Sequence, residues 1–179
     1  MIKIGAGTLA GRIIEQPKTT KTRPMTQKNR ASIFNRLGDI EGLSVLDVYA
    51  GSGAIGIEAL SLGASHATFV EQSRSVAKVI QDNIEKFDLV SHTTVLVQSA
   101  TEAVKSLQGQ SFDIIIADPP YAELQAGDVN MIFKLLLKNG IGVLSHSSRI
   151  PVPDLDSVEH IDSRIYGDTT ISYYRAKIG

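Results

Sequence analysis

An apolar run from Phe112 to Ala117 ends in Asp118, Pro119, Pro120 and Tyr121, an unusual finish for a strand built for burial. The Asp118 carboxylate and the Pro119 carbonyl are both acceptors, and two converging acceptors match the two N–H groups of a planar exocyclic amine. Prolines donate nothing to a strand ladder and stiffen the chain, so the Pro-Pro pair ends the strand and fixes the direction of its neighbours. Tyr121 offers a face on which an extruded base can stack, a contact of about 1–3 kcal/mol. The lone pair of an aromatic amine is delocalised into its ring. Hydrogen bonds from both N–H groups to fixed oxygens favour the pyramidal form, in which the lone pair is localised and can attack an electrophile. Positioning then does most of the catalysis. No separate strong base is needed, because the substituted nitrogen is acidic enough to lose its proton later, through Asp118 to water. The alternative reading of these four residues is a strand terminator and turn.

A second group of residues supplies the electrophile's site. In "VLDVYAGSGAIGIEAL", Gly51, Gly53 and Gly56 satisfy G-x-G-x-x-G where a strand gives way to a helix. Glycine there lets the backbone turn sharply and approach a ligand beside the positive end of a helix. Glu71 ends the next strand, 18 residues past Gly53, where a carboxylate can accept both ribose hydroxyls of an adenosine-containing cofactor. Asp47, four residues before Gly51, bears on which cofactor. A carboxylate pointing into the pocket repels the pyrophosphate of NAD but suits S-adenosylmethionine, which has no phosphate and carries an ammonium and a sulfonium. Asp47 can alternatively cap the following loop. No G-x-S-x-G surrounds Ser52, so it reads as part of the loop rather than as a nucleophile.

The elements that must position these groups follow from periodicity. Residues 43–50, 66–71, 93–99, 112–118 and 141–147 are short apolar runs, the signature of strands buried on both faces. Helical patterns fall between them at 54–62, 73–87, 100–107 and 128–138. This alternation predicts right-handed crossovers and a parallel sheet with helices on both faces. If the winding reverses after the third strand, the fourth lies beside the first, and Asp118 to Tyr121 face the glycine loop. At the end of the chain, residues 157–167 and 169–177 are strand-like runs around the turn "YGDT", and they predict an antiparallel hairpin added to the sheet. Before residue 43, "IKIGAG" and "GRIIEQ" predict a small hairpin, then a loop "PKTTKTRP" and a helix from Thr26 to Leu37. The expected fold is thus α/β and Rossmann-like, with a seven-stranded mixed sheet. Residues 1–42 form an extension and residues 43–179 the main domain.

Composition limits the function classes. At 42% hydrophobic the chain can bury a core of its own, and no apolar run approaches the roughly 20 residues of a membrane span. Glycines interrupt the N-terminal "MIKIGAGTLAGRII", which therefore does not read as a secretory signal. There are no cysteines, which excludes disulfides and thiol chemistry. These features fit a cytoplasmic protein. The four histidines are scattered without metal-ligand spacing, so no metal site is expected. The net charge of −1 is unevenly distributed: residues 1–42 carry eight Lys/Arg against three acids, and the remainder ten against sixteen. A basic arm on an acidic body suits a polyanion partner. Arg23 and Arg30 are read as phosphate ligands, with pairing to body acids such as Asp39 as the alternative.

The segments "DVYAGSGAIGIEALSLGA", "FVE", "DIIIADPPY" and "YGDT", together with "IGAGTLAGRII" and "TRPMTQKNRASIFNRL", resemble the bacterial RsmD-type methyltransferases over nearly the whole chain. D-P-P-Y alone is shared by many N-methyltransferases; the N-terminal segments and "YGD" narrow the resemblance. It implies methyl transfer from S-adenosylmethionine to the N2 amine of a guanine in small-subunit (16S) ribosomal RNA, by a protein working as a monomer. It further implies that Asp47, Ala50, Gly51, Ser52, Gly53, Glu71, Ser99, Ala100 and Asp118 form the cofactor site. Asp118, Pro119, Pro120 and Tyr121 would hold the amine, and Arg12, Lys21, Arg23 and Arg30 would lie on the RNA. The target guanine must be looped or flipped out for its amine to be reached. Four positions depart from the family pattern: Met25 replaces a threonine, Ala31 a glutamate, Ser99 an acid or amide at the adenine edge, and "SHSS" around His146 a strand end that often bears a glutamate. Adenine N6 or a glutamine side chain would use the same D-P-P-Y, and a catalytically silent RNA-binding protein could share the fold. An NAD oxidoreductase is the most distant alternative.

Overall fold

Isoleucine-rich runs with no room for polar alternation are buried on both sides, and the central strands are so buried. In the computed structural model, which describes residues 1–18 and 24–177, seven strands follow the order β5-β4-β3-β6-β7-β9-β8. These are β3 (Ser44–Val48), β4 (His66–Val70), β5 (Thr93–Leu96), β6 (Phe112–Ala117), β7 (Leu136–Ser147), β8 (Val158–Tyr166) and β9 (Thr169–Ala176). The first five strands in this list are parallel, and β9 pairs antiparallel with both β7 and β8. The remaining two strands, β1 (Ile2–Lys3) and β2 (Ile13–Ile14), form a separate hairpin.

Strand β6 illustrates the layering. Ile114 and Ile116 belong to one apolar cluster and Ile115 and Ala117 to the other, because successive side chains leave a strand on opposite faces. The first cluster takes α1 (Gln27–Leu37), α2 (Ala54–Ser61), α3 (Arg74–Lys86) and the β1–β2 hairpin; the second takes α4 (Ala100–Ser106) and α5 (Ala126–Phe133). Each fully buried isoleucine contributes about 1.5–3 kcal/mol. The winding reverses between β3 and β6, which leaves a crevice at their carboxyl ends.

Several expected boundaries shift. The helix expected over 128–138 occupies Ala126–Phe133, and β7 begins at Leu136, five residues before the expected 141. Leu136 pairs with Phe112, residues 137–140 bulge opposite Asp113, and pairing resumes at Ile141 with Ile114. The apolar spacing of "IFKLLL" reads as helical because Ile132, Phe133, Leu135 and Leu136 are all buried, yet the last two are buried by strand and turn. The third strand ends at Leu96 rather than residue 99, and the N-terminal hairpin pairs only two residues per strand. At the start of α1, Thr26 is the cap, its hydroxyl accepting from the Asn29 N–H at 3.2 Å.

The largest correction concerns Arg30. Its side chain is 2% exposed and pairs with the equally buried Glu58 of α2 at 2.9 Å. It also donates to the Met25 and Lys3 carbonyls at 2.9 and 2.7 Å. Each of its three nitrogens donates inside the protein and the charge is paired with Glu58, so the buried side chain fastens the N-terminal segment to α2 rather than lying on RNA phosphate. Removing one member of such a pair strands a buried charge. Arg30→Ala is therefore expected to lower stability by about 3–5 kcal/mol, with Arg30→Met combined with Glu58→Leu costing markedly less. Urea unfolding of the two variants measures both effects; an unchanged Arg30→Ala midpoint would contradict this placement.

Candidate active site

The glycine loop is shaped by close approach. Gly53 has φ of 80°, a left-handed conformation that costs glycine little. At Gly56 a Cβ would stand 2.3 Å from the Phe69 ring, so only glycine lets α2 pack this tightly on β4. Tyr49, at the end of β3, is held in the left-handed region at φ of 62° although it is not glycine, a strained exit that starts the loop. Three of the loop's N–H groups are already taken: Ala50 donates to the Val70 carbonyl at 3.0 Å, Gly51 to Glu71 Oε2 at 3.1 Å and Gly53 to the Ala50 carbonyl at 2.8 Å. A loop that cradles a pyrophosphate presents its amides to the ligand. Here these three are already bonded within the protein, an observation against a dinucleotide.

A cavity opens over the carboxyl ends of four strands. It is lined by Asp118 and Pro120 after β6, Tyr49 to Ser52 after β3, Glu71 and Gln72 after β4, and Gln98 and Ala100 beyond β5. Ile2, Gln16, Pro17, Pro24, Met25 and Arg30 close it from the N-terminal side. A second, wider cavity is lined by Pro24, Met25, Thr26, Asn29, Asp118 to Ala122, Ser145, Ser147, Arg149, Asp168 and Thr169. Pro24, Met25, Asp118 and Pro120 are therefore common to both cavities and form the boundary where they meet. The "YGDT" turn reaches this boundary, its Thr169 hydroxyl lying 2.7 Å from the Tyr121 hydroxyl.

The carboxylates are unevenly placed. Asp118 sits next to β3, its N–H donating to the Val48 carbonyl at 3.3 Å. Burial pushes its carboxyl up to about 6, opposed by a hydrogen bond from the Ser145 hydroxyl. Glu71 accepts from Gly51 and Ser73 N–H groups at 3.1 and 2.9 Å, which fixes its orientation at the cavity wall. Asp47 does not line the cavity. It is fully buried behind the loop, where Oδ2 accepts from the Gly56 N–H at 3.0 Å and Oδ1 has no partner among the described residues. Burial raises its carboxyl well above the usual range, the Gly56 bond opposes this, and the charges of Asp118 and Glu71 reinforce it. Two acids, Glu71 and Asp118, line the cavity, whereas Asp47 is buried behind its loop instead of pointing into the pocket as the sequence led one to expect.

Of the remaining expected residues, Ala50, Gly51, Ser52 and Ala100 line the first cavity, and Pro119, Pro120 and Tyr121 the second or both. Ser99 does not line either. It caps α4 in a reciprocal box with Glu102. Arg12 is exposed, its guanidinium 5.1 Å above the Phe87 ring, while Lys21 and Arg23 lie outside the described residues. His146 is fully buried and bonded to the Ser147 carbonyl and the Ser172 hydroxyl.

Two residues went unread in the sequence. Asn83, buried in α3, donates to the Ser52 carbonyl at 3.1 Å and exchanges bonds with the Glu15 backbone at 2.8 and 3.0 Å, so it joins the glycine loop to the N-terminal segment. Gln98 follows β5 and faces the cavity. Nothing in a lone Asn on a helix or a Gln after a strand signals either role before tertiary contacts are known.

A family model described as Conserved hypothetical protein 95 matches residues 2–175. Ribosomal RNA small subunit methyltransferase D of Escherichia coli K12 is 33% identical over 140 residues, covering 78% of this chain and 68% of its own. YlbH of Bacillus subtilis, described as a candidate rRNA methyltransferase, is 29% identical and covers 98% of this chain and all of its own length. Among solved structures, yhhF of Escherichia coli, described as a candidate methyltransferase, superposes with a TM-score of 0.87 at 25% identity over 98% of both chains.

The Asp118 titration has a consequence for stability. A carboxyl that ionises at about 6 when folded, against roughly 3.9 when unfolded, stabilises the fold fully below pH 4 and loses that contribution as pH rises through 6. Asp118→Asn has no such titration. Its melting temperature is expected to exceed that of the wild type at pH 8, with the gap shrinking at pH 4; thermal unfolding at both pH values measures it, and a gap that does not change with pH would contradict the buried ionisation.

Proposed function

Since this chain belongs to the Conserved hypothetical protein 95 family, we propose that it transfers a methyl group from S-adenosylmethionine to the N2 amine of a guanine in small-subunit ribosomal RNA. The observation that carries the reading is the boundary shared by two cavities, formed by Asp118 and Pro120 with Pro24 and Met25, which suits transfer from a donor on one side to an acceptor on the other. The names of its relatives support ribosomal RNA as the substrate.

The residues present fit the cofactor. Three of the loop's amides are already bonded within the protein and Glu71 and Asp118 line the cavity, which disfavours phosphate and suits a cation, and Glu71 keeps lone pairs for ribose hydroxyls. When bound, S-adenosylmethionine supplies an electrophilic methyl group. On the acceptor side, the Asp118 carboxylate and the Pro119 carbonyl, which accepts no backbone bond among the described residues, receive the two N–H groups of the amine. Their fixed positions favour a localised lone pair aimed at the first cavity. Tyr121 is 42% exposed and offers its ring to the flipped base while the bond to Thr169 holds its hydroxyl. Asp118 then takes the departing proton toward water. Arg12 and the basic N-terminal segment lie on RNA phosphate, and much of the target choice comes from the shape of the ribosomal particle.

Incubation with labelled S-adenosylmethionine and small subunits lacking the modification is expected to place label on guanine N2, with Asp118→Ala reducing it at least about 100-fold. Label on adenine N6 or on a protein amide would replace the acceptor named here, and absence of label on any acceptor, despite cofactor binding, would leave a silent binding protein.

The amine needs Asp118 ionised, so the rate is expected to rise with pH up to about 6 and then level. The Ser145 hydroxyl favours the charged form. Ser145→Ala should accordingly move the acid limb to higher pH, and a rate profile that stays in place would remove this hydroxyl from the account.

A further inference from the structure

On the proposed reading, on which this inference rests, a base that enters the second cavity stays joined to its sugar and phosphate, so the strand brings negative charge to the rim of that cavity. The carboxylates there are ill matched to it. Asp118 and Asp168 both line the second cavity, and among the described residues that line it Arg149 is the one cation. Asp118 is engaged by the acceptor amine on this reading, which leaves the strand's phosphate to Asp168 and Arg149.

Arg149 combines a fixed backbone with a loosely held head. Its N–H donates to the Ser147 hydroxyl at 3.2 Å. The preceding Ser148 is tied to the turn between β8 and β9, its N–H donating to the Asp168 carbonyl at 2.9 Å and its hydroxyl to the Gly167 carbonyl at 3.0 Å. Thr169 of the same turn bonds Tyr121, so the backbone of Arg149 is set relative to the ring on which the base stacks. The guanidinium has only a distant partner: Nη2 lies 3.8 Å from Asp168 Oδ1, and the two side chains are 81% and 86% exposed. Solvent screens such a pair, which contributes little, whereas a phosphate offers the planar guanidinium two parallel charge-assisted bonds. Arg30, the arginine expected on phosphate, has all three nitrogens engaged in the interior. We propose that Arg149 leaves Asp168 when the acceptor strand arrives and takes a phosphate beside the target nucleotide, so that it positions the strand over the second cavity.

Initial rates of methyl transfer, measured against the concentration of small subunits lacking the modification and at several salt concentrations, separate strand positioning from chemistry. Arg149→Ala is expected to raise KM about tenfold at low salt while kcat changes by less than about threefold. It should also lower the slope of log KM against log salt by about one, the mark of a lost phosphate contact. Arg149→Lys keeps the charge without the planar fork and should recover part of the affinity. Asp168→Asn releases the guanidinium and should lower KM about twofold at low salt. A KM or salt slope that Arg149→Ala leaves in place, no recovery in Arg149→Lys, or a KM that Asp168→Asn leaves unchanged or raises overturns the proposal. A wild type that binds S-adenosylhomocysteine in calorimetry but methylates no subunit overturns the acceptor reading and Arg149's part with it, whereas wild-type transfer with an unaltered Arg149→Ala overturns only the latter.

Discussion

The parallel pairing of β3 with β6 is the constraint from which the rest follows. Asp47 lies opposite Ile116 and Val48 opposite Ala117, and the Val48 carbonyl then accepts from the Asp118 N–H. Residues 70 positions apart in the chain are thereby held one strand spacing from each other. The glycine loop leaves one strand and the D-P-P-Y segment leaves the next, so a group bound over the first can face a group held by the second. At the other end of the same pair, Asp113 Oδ2 accepts from both the N–H and hydroxyl of Ser44 at 2.9 and 2.8 Å, which pins the register. A slip of one residue would exchange the faces of every buried side chain.

Around this pair the protein accepts local cost for placement. Asp47 is buried with one oxygen unpaired, Asp118 ionises against burial, Gln98 holds an unmet acceptor and Tyr49 sits in a strained conformation. All four cluster at the carboxyl ends of the strands. The apolar clusters on both faces of the sheet supply the stability that tolerates them. Preorganised groups of this kind need not rearrange when charge moves, which is where their contribution to a reaction lies.

The N-terminal segment is part of the same machinery. Its isoleucines Ile2, Ile4 and Ile14 join the core cluster that contains α2 and α3. Arg30 fastens it to Glu58, Asn83 to the glycine loop, and Ser61 to the Ala6 carbonyl at 2.6 Å. Because the anchors lie on the elements that carry the loop, the wall of the first cavity and its floor are set by one network of bonds.

The chemistry-bearing motifs and the layering are legible in the chain before it folds. Glycines 51, 53 and 56, the acid at 71 and D-P-P-Y are local signals: they depend on backbone freedom, strand ends and the donor or acceptor character of single residues. The alternation of apolar runs with helical spacing likewise fixes a doubly wound sheet, since each element must bury its own apolar face. The partners of polar side chains that can serve in more than one way are set by the fold. Arg30 in the sequence is one more base in a basic arm, Asp47 one more acid near a loop, Ser99 one more hydroxyl at a strand end. Their partners, Glu58, Gly56 and Glu102, are 28, 9 and 3 residues away, and spacing alone does not select among such partners. Where β7 begins was undecided for a related reason: leucines are buried equally well in a helix or a strand, and the pairing of Leu136 with Phe112 chose between them.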